Sequence, residues 1–206
     1  MDKITKKAEN VTVTIIKAEK DVEKIIYDHV GFSMVAGAIP IPVLDLLAVS
    51  AIQLDMIRQL AKKYEIDFDD EIGKSLVSSI LSSTIGTSLG RAGASAVKAI
   101  PGIGTLLGIG SQVAVSGMST FAVGHLFYNH FSNNQPLKDF NFDKVKEAFD
   151  DLLKKGKEFV DDIQKKAKPV EKELRKETAV VIRKMTENGV IKQSDSIKIL
   201  KAIEEE

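Results

Sequence analysis

Cysteine and tryptophan are both absent from the 206 residues, and histidine occurs three times. Without thiols there are no disulfides, thiolate metal sites or cysteine nucleophiles, a usage that suits a cytosolic face. Charge of one sign is lacking too: 29 basic residues balance 29 acidic ones. That balance argues against a nucleic-acid partner, whose binders carry a basic surplus. The N-terminal stretch MDKITKKAENVTVTIIKAEKD has neither the apolar core nor the cleavage site of a secretory signal.

Catalytic signatures are missing as well. No GxSxG elbow accompanies the many serines. The GKS at Gly73, Lys74 and Ser75 lacks a glycine five positions earlier and follows an acidic loop, so it is not a phosphate loop. GIGTLLGIG has no strand ahead of it and the wrong spacing for a dinucleotide turn. His125 and His130 are five apart, not the four of a helical zinc site. The expectation is a non-enzyme with no cofactor and no metal.

What the chain does have is a partition of charge. Residues 1–29 carry six lysines and six acidic residues, and residues 138–206 carry 17 basic and 16 acidic ones. Between them, Asp45 is the only charge from Val30 to Leu54, Ser75 to Gly90 has none, and Ala99 to Leu137 is 39 residues without one. An oily middle between ionic arms predicts four parts: an amphipathic helix over 1–29, an apolar helical core over 30–131, a linker over 132–140 and a charged helical arm over 141–206.

Periodicity makes every part α-helical. Ile4, Ala8, Val11, Ile15, Ala18, Val22 and Ile25 step by four and three, one stripe along a helix, with a strand over VTVTII as the local alternative. A short helix is expected from Phe32 to Ile39, ending at Pro40, and a longer one from Pro42 to about Tyr64. Asp69 and Asp70 mark the acidic entrance of a helix from about Ile72 to Ala99. Pro101 opens another that runs to about Phe131. In the last arm Asn141 is the expected N-cap, with Phe140 and Val145 stapled across it. Asp150–Lys154, Asp151–Lys155, Asp161–Lys165 and Asp162–Lys166 are acid-before-base pairs. Gly156 weakens the middle of that helix. Further helices are expected over 170–187 and from Ser194 to the end. The fold class is all-α, with proline-broken, Gly/Ser-rich hairpins forming an apolar core.

The small residues are spaced for close helix contact. Gly86 and Gly90, and Gly104 and Gly108, are small-xxx-small pairs, and Gly110, Gly117 and Gly124 repeat every seven. Ser75, Ser78, Ser79, Ser82 and Ser83 extend a thin side on the helix before them. Such a glycine zipper, in a run exceeding the 20 or so residues of a bilayer span, predicts a transmembrane helix within Ala99–Phe131. A soluble bundle with the hairpin in its core is the alternative.

IPIPVLDLLAVSAIQLDMIRQLAKKY, followed by IPGIGTLLGIGSQVAVSGMSTFAVGHLFYNHF, resembles a bacterial helical domain of unknown function often attached to small Era-like GTPases, the YcjF-like group. The likeness covers about residues 30–131. It rests on the entrance Pro40-x-Pro42-x-x-Asp45-Leu46-Leu47, on Gln53-Leu54, and on Pro101-Gly102-Ile103-Gly104-Thr105. It implies membrane association and a link to GTPase biology, but no reaction, and the chain itself holds no GTPase domain.

Asp45 is expected either in the opening turn of its helix, beside free backbone N–H groups, or in a buried ion pair with Arg91, the similarly solitary cation. The functional expectation is a non-catalytic, membrane-associated accessory or scaffold protein, with a membrane and a protein as partners. That protein is a GTPase or a second copy engaged through the charged arms. The place is the bacterial inner membrane or its cytoplasmic face. A soluble cytoplasmic oligomer and a pore or transporter subunit are the alternatives.

Overall fold

In the computed structural model, residues 3–41, 43–89, 109–166 and 171–205 are described, with side-chain surroundings over 19–41, 43–82, 112–163 and 172–204. These residues form seven α-helices and no strand: α1 (Lys3–Gly37), α2 (Leu44–Lys63), α3 (Asp70–Leu89), α4 (Ile109–Ser132), α5 (Phe142–Lys166), α6 (Glu171–Glu187) and α7 (Gln193–Glu205). A single 3-10 turn at Leu137–Asp139 joins α4 to α5. The protein is all-α.

The first arm and the short helix expected after it are one element. α1 runs unbroken through residue 29, because Val22, Ile26, Val30, Ser33, Met34 and Gly37 continue the same inward stripe and nothing interrupts it. α2 begins at Leu44 rather than Pro42, because the chain turns first through Val43 at φ 78 and ψ −39. Asn141 caps α5 by accepting from the Lys144 N–H at 3.4 Å. Asp69 caps α3 by accepting from the Glu71 and Ile72 N–H groups, both at 2.9 Å. Gly189, at φ 71, turns α6 into α7.

α1, α2 and α4 form the centre. α1 and α4 run antiparallel, with Gly37 against Ser116, Met34 against Gly117 and Ile26 against Gly124. A methyl group added to Gly124 would sit 2.8 Å from Ile26 Cγ2, and one added to Gly117 2.8 Å from Met34 Cγ. α5 packs on α4 beside α1, with Val160 and Met34 both at Gly117, and a Cβ at Gly156 would lie 3.2 Å from the Met118 carbonyl oxygen. Gly156 is therefore a crossing point and not just a weak spot in its helix. α6 and α7 cover α1 and α2, with Leu174 seated over Gly31. α3 runs back along α2, from Arg58–Asp70 to Leu54–Gly73.

Three expectations need correction. No described helix is long and apolar enough to cross a membrane. Glycine, serine and glutamine dilute α4, and its Ala122, Val123 and Phe127 are buried by protein. The serine side of α3 faces outward at Ser75, Ser78, Ser79 and Ser82, while Val77 and Ile80 turn to the core. In α5, Asp151 pairs with Lys154 at 2.9 Å, three residues on, rather than with Lys155, and Asp161 meets Lys157 at 3.1 Å. The side chains of Lys165 and Lys166, expected to pair with Asp161 and Asp162, lie outside the described residues. Positions three and four apart are both neighbours on a helix, so spacing alone does not choose between them.

Val43 carries a backbone strain with a measurable consequence. A β-branched residue at positive φ is strained by about 1–2 kcal/mol. Val43→Gly should therefore raise unfolding free energy by about 1 kcal/mol, read as a higher midpoint in urea at unchanged slope.

Candidate functional site

Two features stand out, one inside the bundle and one at its end. Inside, Asp55 of α2 has a side chain only 1% exposed. Its Oδ1 accepts from Lys184 Nζ of α6 at 2.6 Å, and its Oδ2 from Gln59 Nε2 at 2.8 Å. His29 of α1 places Nε2 at 3.3 Å from the same Oδ2. The other ring nitrogen, Nδ1, lies 2.7 Å from the Ile25 carbonyl oxygen, a contact only an N–H can make. The proton on Nδ1 thus fixes the ring, and Nε2 either accepts from Gln59 at 3.4 Å or, when protonated, donates to Asp55. Burial alone would raise the Asp55 carboxyl. The hydrogen bonds from His29, Lys184 and Gln59 outweigh it and hold the group well below the usual carboxylate range. A carboxylate so fully engaged is a poor general base, and its evident work is to clasp α1, α2 and α6 together.

Arg58, Lys62, Lys63 and Lys184, with Ile25, Gln59 and Glu65, line an open cleft of about 700 Å³ beside this clasp. Its cations are largely spoken for. Arg58 holds Asp70 at 2.7 Å, Lys63 holds Asp21 at 2.7 Å, and Lys184 holds Asp55. A second polar seam crosses the centre: Gln53 donates to Ser119 Oγ at 3.2 Å and Thr120 Oγ1 at 3.1 Å, and Thr120 donates to Ser33 Oγ at 2.8 Å. The His125 ring lies against Phe121, with centroids 4.3 Å apart. Burial, helped by the charge of Lys155, lowers its pKa. No group of three or more metal-ligating side chains occurs among the described residues.

The other feature is the corner between α1 and α2. Ile41, Val43, Leu46 and Leu47 are exposed there, Val43 by 63%, and Val115 of the facing α4 joins them. Asp45, the lone charge of this region, turns inward and is 3% exposed. It lies in the first turn of α2, as one sequence reading expected, but makes no capping bond. Its Oδ2 accepts from Gln112 of α4, and its Oδ1 has no hydrogen-bond partner among the described residues. Arg91 lies outside the described residues, as do Pro42, Gly90, Pro101, Gly104 and Gly108. Gly86 falls within α3 and Gly110 in the first turn of α4. Pro40 sits in the turn between α1 and α2, four residues before α2 starts. Sequence reasoning missed the clasp, since His29, Asp55 and Lys184 are far apart in the chain. The one local signal was a carboxylate set among Ile52, Leu54 and Met56.

An all-α bundle of antiparallel hairpins, clasped by internal polar contacts and with apolar side chains exposed at one corner, defines the class. The chain belongs to the family called Domain of unknown function (DUF697), whose model matches residues 6–158. The match takes in the stretch of about 30–131 that carried the resemblance and extends over most of α1 and about two thirds of α5. The α6–α7 hairpin lies beyond it. A similar protein is Magnetosome membrane protein 22 of Magnetospirillum gryphiswaldense, 33% identical over 135 residues, which are 65% of this chain and 69% of that one. No solved structure matches.

Proposed function

We propose that this protein is a non-catalytic, membrane-associated accessory or scaffold that works beside a separate GTPase. The observation that carries the membrane part is the 33% identity, across 69% of its length, with a protein named for a membrane. The described helices hold no span, so the reading is of a bundle that attaches to one face of a bilayer. The GTPase part rests on the resemblance to domains attached to Era-like GTPases. The engaged state of Asp55 and the mostly paired cations of the neighbouring cleft favour a binding role over a catalytic one.

Fractionation of bacterial cells expressing the chain tests this. It should pellet with membranes at neutral pH and be released by alkaline carbonate, as a surface-attached protein is. Recovery in the soluble fraction before any carbonate treatment would contradict it. A purified GTPase encoded beside this gene should co-elute with the chain, and independent elution would remove that partner.

A further inference from the structure

We infer that the α1–α2 corner is the lipid-contacting end of the molecule, with Ile41, Val43, Leu46, Leu47 and Val115 entering the bilayer interface as an apolar wedge. This rests on the membrane reading above and assigns it to particular residues.

Exposure of apolar surface on one corner is the first support. Elsewhere the described exposed large apolar side chains are Val180 and Ile197, on α6 and α7, whereas five of the seven gather here. Charge is the second. Between Val30 and Leu54 the only ionisable group of Asp, Glu, Lys or Arg type is Asp45, and it is held inward by Gln112 of the next helix but one. Among the described residues the corner therefore presents hydrocarbon without a charge to desolvate, which matches the acyl boundary of a bilayer better than the polar rim of a protein partner.

Geometry is the third. Val43 is the most exposed of the five and is held at φ 78, a conformation valine avoids. A chain that only needed to turn here would do so more easily with glycine, asparagine or aspartate.

The absence of cysteine gives a clean test. Single cysteines at Val43, Leu47 and Val115, and at Val180 and Ile197 as controls, are labelled with a polarity-sensitive dye. Each labelled chain is mixed with vesicles of phosphatidylethanolamine and phosphatidylglycerol. The dye should shift to the blue at 43, 47 and 115 and stay put at 180 and 197. Val43→Asp combined with Leu47→Asp should lower vesicle partitioning by about tenfold or more while leaving the helical circular dichroism unchanged. Val43→Gly provides a variant that cannot be dismissed as misfolded, since it should stabilise the fold and yet weaken vesicle binding.

Vesicle binding without any blue shift at 43, 47 and 115 would overturn the wedge and leave the membrane reading standing. An equal shift at all five positions would likewise overturn it, in favour of non-specific adsorption. A shift that appears without vesicles and grows with protein concentration would identify a second copy as the occupant instead. No vesicle binding by any form would remove both the wedge and the reading it rests on.

Discussion

Replacing Asp55 with alanine should lower the unfolding free energy by about 3 kcal/mol, at the low end of the cost of removing one member of a buried charged pair. The low end applies because Lys184 is 47% exposed and can turn to water once its partner is gone. His29 and Gln59 have less freedom, since the His29 ring is buried and tied to the Ile25 carbonyl. Asp55→Asn keeps the size but loses the charge, and should cost about 1–2 kcal/mol. The same carboxylate predicts how stability follows pH. Its native pKa is depressed, so its contribution is complete above the unfolded value of about 3.9 and is lost as pH falls through the lower native value. The urea midpoint of the wild type should drop as pH is taken below about 4, and Asp55→Asn should flatten that drop. Parallel acid profiles for the two proteins would show that the clasp contributes nothing of this kind.

Gly124→Leu should be as damaging, by about 3 kcal/mol, because it overpacks a closed crossing. The first added carbon already meets Ile26 at 2.8 and 3.0 Å and Met56 Sδ at 3.1 Å. Ile26 and Met56 are both fully buried, so neither has solvent to move into. Removing glycine from a helix regains only about 0.8–1 kcal/mol, which the clash exceeds. Gly124→Ala sets the two effects closer and should come out near 1 kcal/mol destabilising. If the crossing is the cause, Ile26→Ala added to Gly124→Leu should recover part of the loss, giving a coupling of about 1 kcal/mol or more in a double-mutant cycle. Strict additivity would place the damage elsewhere.

How legible these features were depends on whether their signal is local. The seven-residue step between Gly117 and Gly124 is a property of one helix, and it located a packing face without saying which helix packs there. Gly31 and Gly37 offered no such repeat and were missed, although Leu174 and Ser116 sit directly over them. The caps at Asp69 and Asn141 act within three residues of themselves and were legible for that reason. Asp45 was conspicuous as a lone charge, but its contact is the amide of Gln112, 67 residues away, and a search for opposite charges passes over an amide. The Asp55–Lys184 contact spans 129 residues, and nothing in either neighbourhood names the other. The bilayer span expected within Ala99–Phe131 is not found among the described helices, for a related reason. A helix buried against α1 and α5 and a helix buried in lipid share a low charge and small residues, and only the neighbours tell them apart.

Flotation of the purified chain through a density gradient with lipid-only vesicles tests the central claim most directly. The protein should rise with phosphatidylethanolamine–phosphatidylglycerol vesicles and stay at the bottom without them. A chain that is helical and monodisperse, yet stays at the bottom in both gradients, would contradict the proposal that its exposed apolar corner is built to meet lipid.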